Sequence, residues 1–211
     1  MTVVRIAGVE LNVAALTDRG LRRPNNEDAF LTHGAAFVVA DGMGGYDLGE
    51  VASAAVVDAF RDHFALDALG DFASVHAALL DADDRVAVIA ATTERGAGST
   101  VTGVVLVEHE GRAYWLVFNV GDSRVYRHNA GVLVQLTRDH SLGRELVDAG
   151  QLAPEDLVSF NAKNVITRAI GATTAWRTVG SSRSSTASAC CCARTACTER
   201  WTTGIFTRSS P

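Results

Sequence analysis

Three short acidic segments are the places where this chain could do chemistry. They contain Glu27 and Asp28, then Asp41 and Gly42 directly after an apolar run, and finally Asp122. Carboxylate oxygens on loops beside rigid strands are the ligands that hard cations prefer. The Gly42 carbonyl offers a further oxygen, and the missing side chain lets the backbone approach closely. Because no histidine or cysteine accompanies these residues, they predict a site for Mg²⁺ or Mn²⁺ rather than Zn²⁺.

A pair of such cations would suit the hydrolysis of a phosphate ester. Two divalent ions about 3.5–4 Å apart can lower the pKa of a shared water and hold a phosphoryl group for in-line attack. Arg23 precedes the first acidic segment, and its guanidinium could bind two phosphate oxygens at once. The residue types therefore favour phosphoryl transfer to water.

Each feature by itself also has a simpler interpretation. An Asp-Gly pair after a strand is a turn signal, and Glu27-Asp28 fits a solvated loop. The glycines at 42, 44 and 45 could cradle a phosphate, although the Lys-Ser/Thr ending of a P-loop is missing. His140, beside Asp139, fits either a general base or a structural histidine with its hydrogen bonds satisfied.

The elements that must position these residues alternate between strand and helix patterns. Strands are predicted at 9–16, 35–40, 100–108, 113–120, 123–127 and 132–136, and helices at 48–64, 72–93 and 141–149. Residues 17–28 are predicted as a loop, and residues 41–45 as a tight loop that ends the second strand. The apolar sides of the first two helices include Val51, Phe60, Leu79 and Leu80. Strands, two helices and then a β-meander indicate a layered α+β domain.

Composition narrows the function further. The 211 residues carry a net charge of −5, and no apolar run approaches the roughly 20 residues of a membrane span. We therefore expect neither a membrane nor a nucleic-acid partner. All four cysteines lie between 190 and 197, so the body of the chain is free of cysteine, which suits a reducing cytoplasm. The N-terminus also lacks the pattern of a signal peptide.

Six motifs in order over roughly residues 10–172 resemble the bacterial PP2C-type (PPM) protein serine/threonine phosphatases. The motifs are TDRGLRRPNNED at 17–28, VVADGMGG at 38–45 followed by GEVAS at 49–53, GST at 98–100, NVGDSRVYR at 119–127, TRDHS at 137–141 and ITRAIG at 166–171. The resemblance implies a four-layer α-β-β-α sandwich with a dinuclear centre of Mn²⁺ or Mg²⁺. It implies hydrolysis of phosphoserine and phosphothreonine in proteins, with a serine/threonine kinase and its substrates as counterparts.

The resemblance also implies individual roles. Asp41 would bridge both ions, and the Gly42 carbonyl would bind one of them. Glu27 and Asp28 would act mainly through water molecules, and Asp122 would be associated with a third ion. Arg23 would bind the substrate phosphate and, with Asp41, act as a catalytic residue. These assignments are expectations from the motifs that this chain shares with the family.

The resemblance ends after about residue 174, so the sandwich is expected to be incomplete at the C-terminus. The family continues with a Leu-rich strand ending in Ser-Asp-Gly and a later Asp-Asn, and both aspartates bind metal. Residues 176–211 instead form a stretch rich in Ser, Thr, Arg and Cys, predicted as a disordered tail after a phosphatase domain at 1–175. If residues 189–197 are encoded by mostly GC-rich codons, reading those codons one base earlier gives Leu-Leu-Leu-Cys-Ala-Asp-Gly-Leu, which matches the missing family motif. We therefore hypothesise a one-base frame change between about residues 175 and 182.

Loss of the C-terminal aspartates predicts low activity for the chain as written. Two other classes remain open. One is a pseudophosphatase that binds phosphoproteins through Arg23 without hydrolysis, and the other is a nucleotide- or anion-binding module built on the 42–45 segment. The phosphatase lineage explains the most motifs.

Overall fold

The computed structural model describes residues 2–21, 24–44, 48–129 and 131–172, and the backbone alone of 179–182, 188–193 and 203–209. The strands are β1 (Thr2–Ile6), β2 (Val9–Thr17), β3 (Asp28–His33), β4 (Ala36–Gly44), β5 (Ala97–Ser99), β6 (Val101–His109), β7 (Arg112–Val120), β8 (Arg124–Asn129), β9 (Val132–Gln135), β10 (Val179–Ser182), β11 (Ser188–Ala193) and β12 (Thr203–Ser209). The helices are α1 (Leu48–His63), α2 (Phe72–Ala90), α3 (Leu142–Asp148) and a 3₁₀ helix (Pro154–Val158). Within these ranges, no helix is both long and apolar enough to cross a membrane.

Two antiparallel sheets face each other. The first has the strand order β1-β2-β12-β11-β8-β9, and the second has the order β10-β7-β6-β4-β3, with β5 paired to the end of β4. Helices α1 and α2 pack against each other and α1 lies on β3 and β4 of the second sheet. The helix pair and the two sheets are three layers of the predicted sandwich, and the predicted mixed α+β class is confirmed.

The second sheet is the centre of the molecule. Strands β4 and β6 are buried along most of their length on both faces, because helices cover one face and the first sheet covers the other. Phe60 of α1 stacks on Phe118 of β7 with ring centroids 5.1 Å apart. Val51 and Leu80, predicted on the apolar sides of the helices, are instead half exposed, because the stripe that meets the sheet is narrower than the sequence pattern suggests.

The segment predicted as a tight loop after residue 40 continues as strand. Strand β4 extends through Gly44, and Gly42, Met43 and Gly44 pair with Ser99, Gly98 and Ala97 of β5. The glycine-rich sequence is a local turn signal, but a partner more than fifty residues away along the chain supplies the pairing that holds it extended. The expectation of a loop was therefore wrong for residues 41–44.

Strands β3 and β4 form a hairpin that sets the register at the edge of the second sheet. Residues 34 and 35 join the two strands, and pairing runs from His33 opposite Ala36 to Asp28 opposite Asp41. Strands β1 and β3 were not predicted from the sequence pattern. The open end of the hairpin carries Asp28 and Asp41, two of the predicted metal ligands.

Three strands lie in the C-terminal region, where the sequence pattern predicted none. Strand β10 pairs with β7 at the edge of the second sheet, and β11 and β12 lie between β8 and β2 in the first. Backbone pairing there fills the middle of the first sheet. The domain boundary at residue 175 and a disordered tail beyond it stay predictions.

Candidate metal centre

The decisive feature of the site is a pair of carboxylates on neighbouring strands. Asp28, the first residue of β3, lies directly opposite Asp41 of β4, and both are half-buried. Like charges directly opposite each other in a sheet are destabilising. A cation between the two side chains would replace this repulsion by attraction, and oxygen donors suit Mg²⁺ and Mn²⁺. The donor chemistry therefore fits the predicted ions.

Glu27 and Gly42 lie beside this pair because the start of α1 packs tightly against them. The Gly42 N–H donates to the Glu27 carbonyl oxygen at 3.0 Å, and the Ser53 hydroxyl donates to the same oxygen at 2.6 Å. A Cβ at position 42 would lie 1.8 Å from the Gly49 carbonyl oxygen, so no side chain fits there. A Cβ at Gly49 would lie 2.6 Å from Oε1 of Glu27. The two glycines thus bring the Glu27 carboxylate to the start of α1.

Asp122 lies in the turn between β7 and β8 and is 8% exposed. The preceding Gly121 has φ of +110°, a conformation that favours glycine. Its N–H donates to Nδ1 of His140 at 3.2 Å, and its carbonyl accepts from the His140 N–H at 2.9 Å and from Nδ2 of Asn119 at 3.0 Å. Three hydrogen bonds therefore fix the turn that carries Asp122.

The contacts of His140 and Asp139 are those of structural residues and not those of a general base. Nδ1 of His140 accepts a hydrogen bond, so the neutral ring carries its proton on Nε2. Burial lowers the pKa of His140, and the nearby Arg168 and Arg138 lower it further. Asp139 is buried and accepts hydrogen bonds from both Nε and Nη2 of Arg124, and this contact raises the pKa of the guanidinium. The interpretation of His140 as a satisfied structural histidine agrees with this geometry.

The described residues bring together only part of the predicted site. Asp28, Asp41, Glu27 and Gly42 share one end of the second sheet, and Asp122 lies in the turn that leads from β7 of this sheet to β8 of the first sheet. Arg23 falls outside the described residues. Among those that the structure describes, no three His, Cys, Asp or Glu side chains form a group that could hold a metal ion. Water molecules or other residues would have to complete the coordination of any ion.

Sequence reasoning gave no role to Thr100 and Ser123, although both lie in motifs quoted above. The Thr100 hydroxyl accepts a hydrogen bond from the Asp41 N–H at 3.0 Å, and it shares another with the Ser123 hydroxyl at 2.8 Å. The only available signal was the position of both residues inside the motifs.

Comparison with known proteins identifies the family. The model of the family described as "Protein phosphatase 2C" matches residues 22–165. The chain belongs to the protein phosphatase 2C family. Among its curated relatives is the serine/threonine protein phosphatase PstP of Mycobacterium tuberculosis, 38% identical over 167 residues, which are 76% of this chain and 31% of PstP. Another is the serine/threonine phosphatase stp of Listeria monocytogenes, 34% identical over 74% of this chain and 65% of stp. The chain thus spans less than two thirds of either relative.

Solved structures of protein phosphatase 2C members share the fold. The crystal structure of the M. tuberculosis phosphatase PstP/Ppp has a TM-score of 0.75 at 30% identity and covers 88% of this chain and 78% of its own. The phosphatase MsPP of Mycobacterium smegmatis, solved in complex with cacodylate, has a TM-score of 0.76 at 31% identity and covers 85% of this chain and 76% of its own. The predicted fold and family are both confirmed.

Proposed function

We propose that this chain derives from a metal-dependent phosphatase that hydrolyses phosphoserine and phosphothreonine in proteins. The observation that carries the proposal is the carboxylate pair of Asp28 and Asp41, held face to face across β3 and β4. Relatives named serine/threonine phosphatases support the substrate class. The cacodylate complex of MsPP supports it further, because cacodylate is a tetrahedral oxyanion, as is a phosphate group.

Each residue of the site has a task in such a reaction. Asp41 and the Gly42 carbonyl would hold divalent cations, and Asp28 and Glu27 would act mainly through water molecules beside them. Asp122 would contribute from the turn between β7 and β8, and Arg23 would bind the substrate phosphate. When bound, Mn²⁺ or Mg²⁺ supplies Lewis acidity toward the phosphoryl oxygens and lowers the pKa of water. The packing of Gly42 against Gly49 holds the Asp41 backbone in place before any ion arrives.

We also propose that the chain as written has low activity, because the C-terminal aspartates of the family are missing. The structure offers one support for the frame change behind that loss. Strand β11 pairs with β8 in the register Cys192 opposite Arg124, so β11 ends near the start of β8, close to Asp122. In the alternative frame, an aspartate would occupy position 195, just beyond the end of β11. It would then follow a strand of the first sheet at the end that carries Asp122.

Two preparations test both proposals together. One is the 211-residue chain and the other is the same gene with its frame restored and read to its new stop codon. Phosphate release from a phosphothreonine peptide is measured with increasing Mn²⁺. We expect the restored protein to be active and the 211-residue chain to be at least about 100-fold slower.

The substitution Asp41→Asn in the restored protein should abolish turnover, whereas Asp67→Asn, on an exposed loop, should leave it unchanged. A restored protein without Mn²⁺-dependent turnover would contradict the proposed function. Equal activity of the two preparations would contradict the proposed effect of the tail. Sequencing the gene across codons 165–211 shows directly whether a base has been gained or lost.

The same experiment distinguishes the alternatives. Saturable binding of the phosphopeptide without turnover in either preparation would favour the pseudophosphatase. ATP binding that survives Asp41→Ala would favour the anion-binding module, although residues 42–44 are paired strand rather than an open cradle. A partner kinase and a cytoplasmic location stay predictions from the sequence.

A further inference from the structure

The side chain of Thr100 lies between the two acidic regions of the site. It is 1% exposed, and Ser123 is fully buried. The Asp41 N–H donates to Oγ1 of Thr100 at 3.0 Å, and the Thr100 N–H donates to the Asp41 carbonyl oxygen at 2.8 Å. Oγ1 of Thr100 also shares a hydrogen bond of 2.8 Å with Oγ of Ser123, the residue after Asp122. A continuous path of hydrogen bonds thus joins the backbone of Asp41 to the neighbour of Asp122.

The methyl group of Thr100 packs against Gly121, in the same turn that its hydroxyl contacts through Ser123. A Cβ at Gly121 would lie 2.6 Å from Cγ2 and 2.7 Å from Cβ of Thr100, so the methyl side of threonine fills the space that the glycine leaves open. Serine would keep the hydroxyl and lose this packing, while valine would keep the packing and lose the hydroxyl. Threonine therefore provides both the hydrogen-bonding hydroxyl and the methyl group that packs against Gly121.

The path connects the two sheets at the end that carries the carboxylates. Asp41 belongs to β4 of the second sheet, and Ser123 directly precedes β8 of the first. The turn at residues 121–123 joins β7 of the second sheet to β8 of the first through the backbone, and the Thr100–Ser123 hydrogen bond links this turn to Asp41 of β4. We propose that Thr100 and Ser123 are positioning residues, which fix the spacing between the carboxylates of Asp41 and Asp122. The consequence for metal binding rests on the proposed function, but the positioning itself does not.

The positioning is tested without metal, on the full 211-residue chain. Thr100→Val should raise the hydrogen-exchange rate of the Asp41 amide about tenfold, because its acceptor is lost. Thr100→Ser should stay near the parent rate. Thr102→Val is the matched control, because it removes a buried hydroxyl two residues along, which donates to the Phe118 carbonyl at 3.2 Å, and it should not change exchange at Asp41.

A double-mutant cycle then measures the link itself. Thr100→Val and Ser123→Ala should each lower the equilibrium constant for folding, and the double variant should lower it by clearly less than the product of the two effects. In the control cycle of Thr102→Val and Ser123→Ala, the double variant should lower the equilibrium constant for folding by the product of the two single effects. Multiplicative effects at Thr100 and Ser123, or unchanged exchange at Asp41, would overturn the proposal.

Electron paramagnetic resonance then measures how each substitution changes the affinity of the proposed site for Mn²⁺. Thr100→Val should weaken binding about tenfold, Thr100→Ser should restore it to within about threefold of the parent, and Thr102→Val should leave it unchanged. Equal loss in Thr100→Val and Thr102→Val would show a general structural effect and overturn the positioning role. If the parent chain binds no Mn²⁺, the proposed metal site fails, and the exchange and cycle measurements decide the positioning on their own.

Discussion

Two carboxylate arrangements in this molecule differ in the charge of their nearest neighbours. Asp139 is 7% exposed, and the guanidinium of Arg124 and the amide of Gln135 surround it with donors. Asp28 and Asp41 lie face to face on paired strands, so each has a like charge as its direct neighbour. The Asp139 charge is neutralised by the chain itself. Under the proposed function, the hairpin pair would instead share a divalent cation from solution.

The largest effect is expected at the pair that the chain neutralises itself. Asp139→Asn removes one partner of a buried ion pair and leaves Arg124 without its counter-charge, which should cost about 3 kcal/mol of unfolding free energy. Chemical denaturation with EDTA present measures it. Exposed Asp67→Asn is the control, and a loss below about 1 kcal/mol would show that the pair adds little.

A large effect of another kind is expected at the hairpin pair. Asp41→Asn should weaken Mn²⁺ binding about 100-fold, because a direct oxygen ligand of the proposed ions is lost. Without metal, the same substitution should stabilise the fold by about 0.5 kcal/mol, because the repulsion with Asp28 is relieved. Calorimetric titration and denaturation in EDTA give the two values. Destabilisation without metal would show that the two carboxylates do not repel each other.

A smaller loss of stability should follow from filling the space beside the hairpin pair. Gly42→Ala places a Cβ 1.8 Å from the Gly49 carbonyl oxygen, so β4 and α1 must separate, at a cost of about 2 kcal/mol. Gly44→Ala is the matched control, since its nearest contact would be 3.2 Å and its cost should be well below 1 kcal/mol. Thermal unfolding of both variants compares them, and equal losses would contradict the close approach at Gly42.

The smallest effect concerns pH and the turn of Asp122. Burial and the two arginines lower the pKa of His140 in the folded state, so the unfolded chain binds the proton more readily. Stability from this group is therefore present above the unfolded pKa of about 6.5 and is lost as pH falls below it. His140→Asn, which can accept the Gly121 N–H without titrating, should flatten this part of the stability profile measured in EDTA. The same dependence of stability on pH in the parent and in His140→Asn would contradict a contribution from His140.

Local patterns predicted the three α-helices and six of the twelve described strands, because the apolar periodicity of these elements is read directly from the chain. The first helix was predicted at 48–64 and is Leu48–His63, and the second at 72–93 is Phe72–Ala90. The continuation of β4 could not be predicted in this way, since it depends on the distant partner β5. The acidic residues of the site were recognisable from type and motif. Their arrangement was not, because it depends on the register of β3 against β4.

The turn of the β3–β4 hairpin also sets how the chain tolerates changes in length. Insertions in surface turns are usually accepted, because the flanking elements keep their positions. Here a single residue added or removed beside Gly34 would shift the strands by one position and turn every β3 side chain to the opposite face. Asp28, five residues and about 17 Å from the turn, would then no longer face Asp41. A scan of insertions and deletions should therefore find this turn as intolerant as the acidic residues themselves.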